Sequence, residues 1–215
     1  MASDKHPDSP RQDRTALLAA HRAAEIRAVR KRKLFWGAGG VTALVMTGAL
    51  VAVAVINDPA PQARQDIEIT GIETFEDLDA EHVSSPVDYD QNPPVGGTHS
   101  STWLNCGTYT QEVPAENAVH SLEHGAIWVT YDPQNVPQDQ VDELESVLPD
   151  TYVVLSPYED MDSPITLSAW GAQVAVETPG DERIEQFVNK YWQSPDAPEP
   201  GASCTGGLDA PGRSS

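Results

Sequence analysis

One apolar run stands apart from the rest of the chain. Leu34 to Ile56 is 23 residues without a charged side chain, long enough to cross a hydrocarbon core of about 30 Å as a tilted helix. Trp36 near its start suits a membrane interface, and Arg30, Lys31, Arg32 and Lys33 just ahead of it place the N-terminus in the cytoplasm by the positive-inside rule. Ala52-Val53-Ala54 offers a signal-peptidase pattern, yet the run exceeds the roughly 7–15 residues of a signal h-region, so an uncleaved anchor is expected. The organisation read from this is a basic cytoplasmic tail at 1–33, a single transmembrane helix at 34–56 and a proline-stiffened linker at 57–66. The remainder of the chain is expected outside the membrane.

Beyond the linker the periodicities are those of a soluble domain. Ile67 to Ile72 alternates enough for an edge strand, and about 76–105 is a long irregular stretch with Pro86, Pro93, Pro94, Gly96 and Gly97. Ala126 to Tyr131 is β-branched and aromatic, hence a strand ended by Asp132-Pro133. From Pro137 to Leu148, Val141, Leu144, Val147 and Leu148 share one helical face. Tyr152 to Leu155 is a strand, and Ile165–Trp170 with Gln173–Glu177 reads as a hairpin turning at Gly171-Ala172. A helix from Asp181 to Gln193 carries Ile184, Phe187, Val188, Tyr191 and Trp192 at i, i+3, i+4, i+7 and i+8. The fold class expected is α+β: a small exported domain over 67–207, with a mixed or antiparallel sheet and two helices on one face, then a disordered tail at 208–215.

Charge sharpens the topology. Residues 1–33 hold 9 of the 13 Lys and Arg but 4 of the 33 Asp and Glu, which leaves the two parts at about +5 and −25. The basic end suits the anionic inner leaflet, through Arg30, Lys31, Arg32 and Lys33. The acidic remainder repels phosphate backbones, so nucleic acid is not expected as a partner, and its attraction is to cations. The only cysteines, Cys106 and Cys204, both fall in the external part and read first as one disulfide. The rival is Cys106 as a thiolate metal ligand beside the histidines, which would strand Cys204. No internal repeat, phosphate-binding glycine loop or G-x-S-x-G is present.

Tyr89, Pro93-Pro94-Val95-Gly96-Gly97-Thr98-His99, Cys106-Gly107-Thr108-Tyr109 and Val119-His120-Ser121-Leu122-Glu123-His124-Gly125 are together distinctive. Over roughly 65–207 the chain resembles the bacterial domain-of-unknown-function family number 3105. That resemblance implies a short cytoplasmic tail, one anchor and an exported domain. It brings no activity, so function has to come from the side chains.

Three of the six histidines, His99, His120 and His124, lie within 26 residues. On a helix, His120 and His124 stand on one face close enough to share an ion; on a strand they lie roughly 13 Å apart. Pro114 and Glu116 suit a first helical turn and Gly125 suits the exit, so a short helix here is favoured. The expected site is a transition-metal centre with His99, His120 and His124 as ligands, and Glu123 a fourth ligand or a partner orienting an imidazole N–H. Imidazole selects copper or zinc over calcium and magnesium. His82, in the loop beside Glu81, is a candidate fourth ligand but reads as solvated.

Two alternatives stand beside it. The histidines can be structural, hydrogen-bonding the PPVGG loop in a partner-binding module at the cell envelope. His120-Ser121-Leu122-Glu123-His124 also fits the H-x-x-E-H pattern of zinc hydrolases. That motif belongs inside a long helix, whereas a strand begins just after His124, so enzyme activity is not the favoured reading.

Overall fold

The computed structural model describes residues 63–214. The expected anchor at 34–56 and its basic flank lie outside the described residues, and among those described no helix is long and apolar enough to cross a membrane. In chain order the strands are β1 (Glu73–Thr74), β2 (His82–Val83), β3 (His99–Ser100), β4 (Gly107–Tyr109), β5 (Ile127–Tyr131), β6 (Val153–Pro157), β7 (Ile165–Ala169), β8 (Ala172–Val176) and β9 (Arg213–Ser214). The helices are α1 (Ala115–Glu123), α2 (Gln138–Val147) and α3 (Glu182–Tyr191).

These build an α+β domain around a seven-stranded mixed sheet of order β1-β8-β7-β5-β6-β4-β9. β6 runs parallel to both β4 and β5, and the other pairs are antiparallel. The chain visits the parallel trio as β4, α1, β5, α2, β6, moving across the sheet and back. Right-handed crossovers in opposite directions put their helices on opposite faces.

Strand alternation divides the core accordingly. Ile127, Val129 and Tyr131 of β5 face one way, into a core with Val141 and Leu144 of α2 and Ile184 and Phe187 of α3. Trp128 faces the other, with Val154, Ala118 and Leu122 of α1. The expectation of helices on one face is therefore corrected, and the third helix is the short one that carries the histidine pair. With both faces covered, all five residues of β5 are buried.

Several boundaries also differ. Ile67 to Ile72 is not a strand: a 3-10 turn at Arg64–Asp66 leads into extended chain whose Ile67 and Ile69 are buried. This segment is fixed to α3 and its C-terminal end by side chains, since Lys190 Nζ donates to Ile67 O and Arg64 reaches Trp192 O. The hairpin pairs Ala169 with Ala172, so it turns at Trp170-Gly171, one residue earlier than expected. Asp181 caps α3 by accepting from Arg183 N–H, and hydrogen bonds from the Arg183 guanidinium hold the carboxyl below the usual range.

The segment expected to be a disordered tail is ordered as far as Ser214. Cys106 and Cys204 are joined as a disulfide with their Cα atoms 5.4 Å apart, which brings the tail alongside the segment leading into β4. Asn105 N–H then donates to Leu208 O, Leu208 N–H to Trp103 O, and β9 completes the edge against β4. The free ladder of β4 supplies the partner that the sequence of the tail does not announce.

Candidate metal centre

Local sequence decides the geometry of α1. Pro114 starts the helix in an extended conformation, and after His124 the chain leaves through Gly125 at φ 91°. There Gly125 N–H bonds Leu122 O and Ala126 N–H bonds Ser121 O, a Schellman exit that only a residue tolerant of positive φ makes easily. His124 therefore keeps helical φ and ψ as the C-cap. Its ring lies one turn beyond that of His120, with Nε2 to Nε2 3.0 Å.

The PPVGG loop delivers the third histidine. Pro93, Pro94, Val95 and Gly96 are buried, and a Cβ on Gly96 would lie 2.7 Å from Leu78 Cδ1 and 3.2 Å from Trp170 Cδ2, so a side chain there would force its neighbours to shift. His99 follows in β3, fully buried, with its Nε2 3.0 Å from Glu123 Oε2. β3 in turn pairs with β2 in a register that sets His82 opposite His99. His82 Nε2 comes within 3.7 Å of the same carboxylate oxygen, and His120 Nε2 within 3.8 Å.

The other ring nitrogens are occupied. A carbonyl oxygen can only accept, so Gly97 O at 2.8 Å, Ser100 O at 2.6 Å and Ser203 O at 2.7 Å place a proton on Nδ1 of His99, His120 and His124 respectively. In its neutral form each ring then presents its Nε2 lone pair inward. Burial, the main cause, pulls the His120 pKa below its ordinary value, against the Ser100 carbonyl hydrogen bond and the Glu123 charge, which favour the protonated ring. With Nδ1 protonated on all three rings, the 3.0 Å contacts His120 Nε2–His124 Nε2 and His99 Nε2–Glu123 Oε2 each call for a further proton or a cation.

Among the described residues, two groups of donors have the spacing of a metal site. His82, His99, His120 and Glu123 bring one ligand atom each within 4.8 Å of one another, and His120, His124 and Glu199 do the same. Glu199 lies on the tail, half exposed, with its Oε2 3.6 Å from His124 Nε2. Trp103 borders the outer side, its indole 5.2 Å from the His124 ring and 5.9 Å from that of His120, while Trp170 stands 5.8 Å from His99.

All four residues expected from sequence, His99, His120, Glu123 and His124, meet here. His120 belongs to both groups; His124 falls in the outer one. His82, which reads as solvated in the sequence, joins the inner group, and Glu199 joins the outer one without having been expected there. The only sequence signal for His82 is its place in a loop that also carries His99, and Glu199 has none. The thiolate alternative is removed, because Cys106 is in the disulfide.

The family model described as protein of unknown function (DUF3105) matches residues 82–206, which takes in every one of these donors. No curated protein and no solved structure matches the chain.

Proposed function

The chain belongs to the DUF3105 family, whose name carries no activity, and from its own donors we propose that it is a transition-metal-binding domain displayed at the outer side of a membrane. The observation that carries this reading is the packing of His99, His120 and His124 Nε2 and the Glu123 carboxylate into two adjoining donor groups that share His120, where the opposite nitrogen of each of these three rings is fixed by a backbone carbonyl. A backbone carbonyl on the far nitrogen is how metal-bound imidazoles are commonly oriented. Protons alone can also separate these lone pairs. That requires an imidazolium at His99 and another at one of His120 and His124, in a cluster where His99, His120, His124 and Glu123 are each 4 % exposed or less. A divalent cation satisfies inward-facing lone pairs and a carboxylate without charging the buried rings.

The donors are imidazole nitrogen and carboxylate oxygen, with no thiolate or thioether, which suits zinc or Cu(II) and does not suit Cu(I). Two imidazoles on one tetrahedral zinc have nitrogens about 3.3 Å apart, close to the 3.0 Å between His120 and His124. The strongly acidic part of the chain raises the local concentration of cations around the site.

The anchoring part of the proposal is supported by the 23-residue uncharged run, the basic cluster ahead of it, and a disulfide of the kind that oxidising compartments favour. Calorimetric titration of the purified full chain with Zn(II) tests metal binding. Tight binding is expected, with affinity lowered at least ~100-fold in His120→Ala, at or beyond the upper end for groups that merely orient a ligand. Equal affinity in wild type and variant refutes the site.

A further inference from the structure

The two donor groups compete for one atom. His120 Nε2 is common to both, its Nδ1 is occupied by Ser100 O, and a ring nitrogen has a single lone pair. His120 can serve one ion only, and ring orientation decides which. An imidazole binds a metal in its own plane, so two rings converge on one ion easily when their planes cross. His82 and His120 are stacked, with planes 13° apart and centroids 4.9 Å apart, and near-parallel rings converge poorly on one ion. His82 and His99 cross at 78°, and His120 and His124 at 86°.

Assigning His120 to the partner nearest its lone pair, His124, leaves His82, His99 and Glu123 as a second complete set. Each set is two imidazoles and one carboxylate. Glu123 Oε2, 3.0 Å from His99 Nε2 and 3.8 Å from His120 Nε2, stands between them. Resting on the metal-binding reading above, we infer that the cluster holds two transition-metal ions side by side, one on His82, His99 and Glu123 and the other on His120, His124 and Glu199. Two-His-one-carboxylate sets leave coordination positions open, and paired ions typically lie about 3.5–4 Å apart. Both sets reach solvent at a single ligand, His82 at 45 % and Glu199 at 55 % side-chain exposure, so each ion has its own way in.

The test is Cu(II) content and spin count on the purified full chain. Two ions per chain are expected, with an electron paramagnetic resonance intensity well below the total copper because neighbouring spins couple. Glu199→Gln, a change at an exposed side chain, is expected to leave one ion per chain with its full spin intensity. One ion per wild-type chain, two magnetically independent ions, or two ions retained in Glu199→Gln would each overturn the paired centre while leaving metal binding intact. No bound copper at all would overturn the metal-binding reading itself.

Discussion

At His120 both ring nitrogens are committed: Nδ1–H is held by Ser100 O, and Nε2 faces His124 at 3.0 Å. Replacing the ring removes the one donor that both groups share. Trp103 gives a second readout. Its indole lies 5.2 Å from His124, and Cu(II) in the cluster is expected to quench part of the tryptophan fluorescence, a part that disappears in Trp103→Phe. Quenching of equal size in that variant would place the ion elsewhere. The donors close together in sequence, His120, Glu123 and His124, are legible because helical spacing alone puts them on adjoining faces. His82 and Glu199 are not. They arrive through the β2–β3 register and the path of the disulfide-held tail, long-range pairings that a local pattern does not encode.

The element on which the site depends is α1, and its exit is the sensitive point. Gly125 sits at φ +91°, and a Cβ there would lie 3.4 Å from Gln193 Cα. Gly125→Ala is expected to destabilise the fold by about 1–2 kcal/mol, the cost of a left-handed non-glycine residue, measured by chemical denaturation. Helix α3 offers a pH test. The Asp181 carboxyl is held below its ordinary value chiefly by hydrogen bonds from the Arg183 side chain, so its contribution is present above the unfolded carboxyl pKa and is lost as pH falls through the folded one. Asp181→Ala should cost about 0.5–2 kcal/mol at pH 7, and the gap from wild type should close in strong acid. A pH-independent gap would contradict that origin. Both later helices are readable from apolar periodicity. The segment Ile67 to Ile72 misleads because its two buried isoleucines mimic strand alternation, while Lys190 and Arg64 hold the backbone there instead of a neighbouring strand.

For the whole molecule, one covalent link ties site and scaffold together. The Cys106–Cys204 disulfide spans 98 residues, and the residue before Cys204, Ser203, supplies the carbonyl that orients His124. Cys106→Ser/Cys204→Ser is expected to lose up to ~4–5 kcal/mol on the chain-entropy model of a loop that long, read as a lower denaturation midpoint, together with weaker metal binding. The placement of helices on both faces is partly written in β5, where Ala126 to Tyr131 lacks the polar alternation of a strand with one wet side. Its apolar character shows that both faces are covered, but which helix covers which face depends on the order in which the chain crosses β4, β5 and β6, and local periodicity does not carry that order. The central claim, that the buried histidine–glutamate cluster is a transition-metal centre, is most directly tested by zinc-edge X-ray absorption on the zinc-loaded full chain. The prediction is a nearest-neighbour shell of nitrogen and oxygen at about 2.0–2.2 Å, with the outer scattering of several imidazole rings and no sulfur. Zinc lost on dialysis, or a shell without imidazole scattering, would contradict it.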